Sequence, residues 1–184
     1  VMVVLDEAYS EYVDSPDYPD GLKLLQRYPN LVLLRTFSKI YGLASLRIGY
    51  GIAQPEVIRT INQVREPFNT TRFAQAAAIA ALADQDYVAK CKQLNKEGLA
   101  YLKAEFDRLG LTYFPAYGNF MMVELNRPAE AVFEGLLRRG YIVRSGAKLN
   151  YPTMIRVTVG SREQNEGFIA ALEEVLEEVD VAVQ

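Results

Sequence analysis

The stretch Leu31-Val-Leu-Leu-Arg-Thr-Phe-Ser-Lys-Ile-Tyr-Gly-Leu-Ala-Ser-Leu-Arg47 sets an apolar run directly before a loop that holds Thr36, Ser38, Lys39 and Arg47. The run Leu31–Leu34 predicts a buried strand, and ligands of open α/β sheets gather where strands end. Two hydroxyls and a fixed guanidinium suit a phosphate, and an amine beside them suits a covalent bond to a carbonyl. Most lysines are solvated surface groups. Here the neighbouring cation Arg47 and partial shelter from water both favour a neutral, nucleophilic amine. The GxxxxGK[ST] phosphate loop is absent, which argues against an ordinary P-loop nucleotide site.

Upstream, Val1-Met-Val-Val-Leu5 is a continuous apolar run ending in Asp6-Glu7. A strand apolar on both faces belongs in the middle of a parallel sheet covered by helices, so the chain is expected to be a fragment of a longer protein. No basic segment precedes the run, so it does not read as a signal peptide. Asp6 at the strand's carboxyl end has two readings, a carboxylate facing a bound ring or a loop cap. Tyr9 is equally ambiguous by itself.

Downstream, glycines within Arg47–Ile52 predict a strand whose backbone packs against a neighbour or ligand. Pro55 opens a helix to about Val64, and the alanine-rich segment Phe73–Ala83 reads as a tightly buried helix capped from Asn69-Thr-Thr71. A short helix is expected near Leu22–Arg27. Tyr87–Leu109 has the spacing of a long amphipathic helix. Beyond Gly110 the order is strand (Thr112–Phe114), strand (Phe120–Leu125), helix (Ala129–Arg138), strand (Tyr141–Val143), strand (Ile155–Val159) and helix (Arg162–Val179), an α+β pattern. Ser161-Arg-Glu-Gln164 fits a capping box, and Gly140 fits a left-handed helix stop. These patterns divide the chain into residues 1–84 and 85–184.

Composition narrows the chemistry. Among 184 residues there is no histidine and one cysteine, so imidazole bases, HExxH zinc sites and internal disulfides are excluded. Acid–base work falls to Lys, Tyr, Asp or Glu. The net charge of −3 is spread without a basic stripe, and no apolar run is long enough to span a bilayer, so neither nucleic acid nor membrane is an expected partner and a cytoplasmic location is. Pyridoxal 5'-phosphate is a ligand with the required phosphate and aldehyde.

Asp6-Glu-Ala-Tyr9 followed by Arg35-Thr-Phe-Ser-Lys-Ile-Tyr-Gly-Leu-Ala-Ser-Leu-Arg-Ile-Gly49 resembles the aspartate and lysine motifs of the fold-type I, class I/II pyridoxal-phosphate aminotransferases. Val64-Arg-Glu-Pro-Phe-Asn69, Phe73-Ala-Gln-Ala-Ala-Ala78, Gly140-Tyr-Ile-Val-Arg144 and Ile155-Arg-Val-Thr-Val-Gly160 are most similar to the histidinol-phosphate branch of that family. The resemblance covers essentially the whole chain and corresponds to the C-terminal half of such an enzyme. It implies an α/β fold: the C-terminal part of a large cofactor-binding domain with a mainly parallel sheet, then a small α+β domain.

It also implies roles. Lys39 is the lysine that bonds to the cofactor and later moves the substrate's proton. Thr36, Ser38 and Arg47 bind the cofactor phosphate, Asp6 faces the pyridine nitrogen, and Tyr9 bonds the ring's phenolic oxygen. Arg156 and Arg144 take substrate anions, although each alone reads as well as a surface ion pair, and Asn119 is a pocket wall. The implied substrates are histidinol phosphate and the glutamate/2-oxoglutarate couple, the assembly a homodimer, and metal is not required. Aromatic aminotransferases and threonine-phosphate decarboxylases share the same cofactor residues, and a noncatalytic interaction module is the alternative of another class. Ser45 stands where relatives often carry glycine, which is expected to leave Arg47 in place. The family's glycine-rich phosphate loop, ring-stacking aromatic and asparagine have no counterparts in this stretch, so residues 1–184 alone are expected not to turn over.

Overall fold

The computed structural model describes Val1–Val183, with side chains described as far as Asp180. It divides into two compact units, Val1–Lys92 and Gln93–Gln184, the division falling inside a long helix.

The first unit runs β1 (Val3–Asp6), α1 (Gly21–Arg27), β2 (Leu31–Thr36), β3 (Gly49–Ala53), α2 (Pro55–Val64) and α3 (Arg72–Ala83). Its sheet has the order β1-β2-β3, with β1 parallel to β2 and β2 antiparallel to β3. The sheet is therefore mixed. A parallel return needs a crossover, usually a helix, whereas residues 37–48 contain only a 3-10 turn at Ala44–Leu46 and come straight back. Local chemistry fixes the helix starts. Asp20 caps α1 by accepting from the Leu22 and Lys23 amides at 3.0 and 3.2 Å, Pro55 supplies a preset φ to α2, and Thr71 Oγ1 caps α3 through Ala74 N at 3.1 Å.

The second unit takes the C-terminal part of α4 (Gln85–Arg108) and continues as β4 (Thr112–Tyr113), β5 (Phe120–Glu124), α5 (Ala129–Arg138), β6 (Arg144–Ser145), β7 (Met154–Thr158) and α6 (Arg162–Val183). Its sheet is antiparallel throughout, in the order β4-β5-β7-β6. Met121 and Val123 alternate inward from β5, Ile155 and Val157 from β7, and they meet Val132 and Leu136 of α5 and Leu172 and Val175 of α6. The capping box forms as expected: Ser161 N donates to Gln164 Oε1 at 2.9 Å and Gln164 N to Ser161 Oγ at 3.2 Å.

Three observations bear on the expectations. First, β1 pairs only with β2 among the described residues and lies at the edge of this sheet with Val3 and Val4 exposed, so the neighbours that its two apolar faces call for are not among the described residues. Second, α3 is not tightly buried: only Ala74 and Ala78 are covered, while Phe73 and Ile79 face solvent. Its small residues are spread around the helix, so composition could not say which face packs. Third, residues 141–143 form no strand; β6 lies at Arg144–Ser145. Tyr141 N donates to Leu136 O at 2.9 Å and Gly140 N, at φ +84°, to Leu137 O at 3.0 Å. That Schellman closure of α5 uses the amide a strand would need.

Candidate active site

The first unit opens a cleft of about 540 Å³ at the carboxyl end of β1 and β2, lined by Asp6, Thr36, Ser38, Lys39, Arg47 and Tyr50 among others. Its size is that of a small-molecule site. The β1–β2 register pairs Asp6 with Leu34, so the strand pairing itself brings Asp6 beside the start of the lysine loop. Asp6 Oδ1 also accepts from Ala8 N at 3.0 Å, which turns the chain toward Tyr9. The loop-cap reading of Asp6 is met by this bond, and the residue also lines the cleft.

The lysine loop is braced from within. Thr36 Oγ1 accepts from Ser38 N at 3.0 Å, and Gly42 N donates to Lys39 O at 2.9 Å, so Lys39 starts a tight turn. Lys39 is half-buried, and its Nζ lies 5.1 Å from the centroid of the Tyr9 ring, over its face. Tyr12 lies beside Tyr9, with ring centroids 6.4 Å apart, and burial, then the nearby Cys91, push its phenol up to about 12, so it stays neutral at working pH. Arg47 holds a left-handed backbone, φ +52°, which costs a non-glycine residue about 1–2 kcal/mol. Its own side chain braces that shape, Nη1 donating to Ala44 O at 2.7 Å and Ser38 Oγ at 3.3 Å. Strained backbone of this kind concentrates at functional sites.

In the second unit Arg144 and Arg156 are register partners on β6 and β7. Like charges placed opposite each other are unfavourable unless an anion joins them. Arg144 is exposed; Arg156 is half-buried, its Cζ 5.1 Å from the Phe120 ring centroid and its Nε buried without a hydrogen-bond partner among the described residues. Asn119 is half-buried, and its carbonyl accepts from Val159 N at 2.8 Å. Among the described residues no group of acidic, cysteine or histidine side chains is placed to hold a metal ion.

Residues 1–172 match the family model described as aminotransferase class I and II. The chain belongs to this family. It is 52% identical over 176 residues to a histidinol-phosphate aminotransferase of Bacillus velezensis, covering 96% of this chain and 49% of that protein. The corresponding protein of Anoxybacillus flavithermus is 54% identical over 178 residues, covering 97% and 48%. The crystal structure of histidinol-phosphate aminotransferase from Sinorhizobium meliloti in complex with pyridoxal-5'-phosphate superposes with a TM-score of 0.89 at 32% identity, over 97% of this chain and 49% of that one. The chain spans about half the length of the curated relatives it matches.

Within this aminotransferase chain, Asp6, Thr36, Ser38, Lys39 and Arg47 line one cleft, and Tyr9 lies under the Lys39 amine. Arg144, Arg156 and Asn119 belong to the other unit, where the two arginines are strand partners. Sequence reasoning passed over Glu7, Arg35 and Tyr50. Glu7 is 2% exposed, and its Oε2 accepts from Arg35 Nε at 2.8 Å. Arg35 in turn lines the cleft beside Tyr50, its register partner on β3. The signal was present as opposite charges ending two adjacent apolar runs, but it becomes specific only when the runs are known to be parallel neighbours.

Proposed function

We propose that the full-length protein is a pyridoxal-phosphate-dependent histidinol-phosphate aminotransferase of histidine biosynthesis. It moves the amino group of histidinol phosphate to 2-oxoglutarate, leaving imidazole acetol phosphate and glutamate. One observation carries the reading: an amine, Lys39, and an acid, Asp6, line the same cleft together with Thr36, Ser38 and Arg47. That donor set fits the cofactor, with two hydroxyls and a guanidinium for a phosphate, an amine for an aldehyde and a carboxylate for a pyridine nitrogen. The histidinol-phosphate assignment is supported by relatives more than half identical across nearly the whole chain.

When bound, the cofactor supplies an electron-withdrawing ring that stabilises negative charge at the substrate carbon. The residues do the rest. Lys39 Nζ would hold the cofactor's aldehyde and would move the proton at the substrate's amine-bearing carbon, a task for which this chain offers no histidine. Asp6 holds the proton on the ring nitrogen. Tyr9 donates to the ring's phenolic oxygen, and Thr36, Ser38 and Arg47 hold the phosphate. Arg156, whose Nε is buried without a hydrogen-bond partner among the described residues, takes a substrate anion, Arg144 a second one, and Asn119 forms part of the wall. The reading includes a cytoplasmic homodimer; among the described residues no helix is long and apolar enough to cross a membrane.

The test compares initial rates of the purified full-length protein on histidinol phosphate, phenylalanine and threonine phosphate, with 2-oxoglutarate as acceptor. Histidinol phosphate is expected to lead, and Lys39→Ala to lower the rate at least about a thousandfold while abolishing the visible absorbance of covalently held cofactor. Preference for phenylalanine points to an aromatic aminotransferase, and carbon dioxide release from threonine phosphate to a decarboxylase. A protein that never takes up the cofactor is an interaction module.

A further inference from the structure

The geometry points to the buried Glu7–Arg35 ion pair, with Tyr50, as a positioning device that sets the spacing between Asp6 and the Thr36–Lys39 loop and so fixes how the cofactor ring sits. The inference rests on the reading of the cleft given above and concerns residues that the motif comparison left without a role.

Glu7 directly follows Asp6. Its amide donates to Leu34 O at 2.8 Å, which extends the β1–β2 ladder by one bond beyond the last paired residue. Strand alternation then sends its side chain to the face opposite that of Asp6. There Oε2 meets Arg35 Nε at 2.8 Å, with the carboxylate side chain 1% and the guanidinium side chain 25% exposed. Arg35 directly precedes Thr36. The pair therefore ties the residue after Asp6 to the residue before the phosphate-binding loop, across the two strands whose ends form the cleft. A surface ion pair holds its partners loosely, but a sequestered charge must keep its partner, because water cannot replace it.

Two further contacts fix the pair in place. Tyr50 lies opposite Arg35 on β3, which places the third strand beside the device. Burial alone would lower the Arg35 pKa, but Glu7 and then Tyr50 outweigh it and raise it, so the cation persists at every working pH. On the far side Gly21 admits the carboxylate: a Cβ at that residue would lie 2.1 Å from Glu7 Oε1. Glu7 thus sits buried between a guanidinium and the first turn of α1. It touches neither the reacting atoms nor the phosphate; it acts through Asp6 and Thr36.

The experiment uses full-length protein carrying Glu7→Gln, and separately Arg35→Lys and Arg35→Gln. It reads pyridoxal-phosphate affinity by equilibrium titration, visible circular dichroism per bound cofactor, and the thermal midpoint of the cofactor-free protein. Glu7→Gln is expected to weaken cofactor binding about tenfold, the usual consequence of removing a partner that orients binding groups. It should also at least halve the ellipticity per bound cofactor, since the ring is then held less uniquely. Arg35→Lys keeps the buried charge paired and is expected to retain most of the signal, and Arg35→Gln to lose it. A lowered midpoint with affinity and ellipticity unchanged makes the pair merely structural and overturns the inference. So does an Arg35→Lys variant no better than Arg35→Gln. Should Glu7→Gln not fold, the two Arg35 variants decide alone. Failure of the underlying reading looks different: the unsubstituted protein itself would then show no cofactor band that Lys39→Ala removes.

Discussion

The two units solve the burial problem differently. The second closes a continuous core from its own residues: Phe106, Leu136, Ile155 and Leu172 are each 0% exposed and belong to one cluster of helix and sheet faces. The first buries Leu31, Val32 and Leu33 of its central strand, with Phe37 and Ile40 of the lysine loop, but leaves Val3, Val4, Phe68, Phe73 and Ile79 in solvent. Core material in the first unit thus gathers around the loop that carries Lys39. Because the chain spans about half the length of its curated relatives, those exposed side chains are free surface of these 184 residues alone, and the contrast is between a closed core and a partial one.

The largest expected effect separates the units by truncating one large apolar side chain in each. Phe106→Ala should cost about 3–5 kcal/mol, because the ring is fully enclosed and packs edge-on to Phe168 at 6.5 Å. Ile79→Ala, at a side chain 72% exposed, should stay within about 0.5 kcal/mol. Hydrogen exchange followed by mass spectrometry reports each unit separately, which a single melting curve does not. Equal loss of protection from the two substitutions would show that the units do not differ as described.

A middle-sized effect sharpens the same contrast with two glycines. Gly98 lies inside α4, where a Cβ would come 2.3 Å from Val159 Cγ1, and Gly21 opens α1 against Glu7. Alanine at either residue overpacks its neighbour at about 1–3 kcal/mol. Inside a helix, about 1 kcal/mol of that is offset by alanine's better propensity. The consequences diverge in function. Gly98→Ala is expected to lower the urea midpoint and leave cofactor affinity alone, while Gly21→Ala should weaken cofactor binding by displacing Glu7. Cofactor titration of both variants checks this, and an unaffected Gly21→Ala protein would contradict the tight seat described for the carboxylate.

Much of this was legible in the chain. The boundaries of α2 and α5, the capping box at Ser161 and the stop at Gly140 depend on interactions within a few residues, and local sequence specifies such interactions well. So does the lysine loop, whose hydroxyls, amine and guanidinium are close in the chain before they are close in space. The strand expected at Tyr141–Val143 was lost for a local reason, since the helix stop at Gly140 also takes up the Tyr141 amide. What else escaped was non-local. The exposure of α3 follows from what lies beside it, which its alanine-rich pattern cannot encode. The Glu7–Arg35 pair joins residues 28 apart whose relation appears only once β1 and β2 are in register.

The smallest effect concerns acid. Asp20 in the first unit and Asp180 in the second both have carboxyls held below their ordinary value. At Asp20 the leading cause is the hydrogen bond from Lys23 N, and at Asp180 it is the hydrogen bond from the Arg127 guanidinium. A carboxyl with a depressed folded-state pKa stabilises fully above the unfolded value and loses that contribution as pH falls through the folded one. Both contributions should therefore fade below about pH 4. Asn at 20 can still accept from the Leu22 and Lys23 amides, so Asp20→Asn should change little at pH 7 and flatten the acid limb of the urea midpoint. Asp180→Asn removes one partner of an exposed ion pair, so it should lower the midpoint slightly even at pH 7 and do so less in 1 M salt, where the Debye length shrinks to about 3 Å. The cap, made of short bonds to backbone amides, should be far less sensitive to salt. Urea titrations from pH 2 to 7 at low and high salt separate the cases, and equal salt sensitivity of the two substitutions would mean that charge, rather than hydrogen-bond geometry, dominates at Asp20.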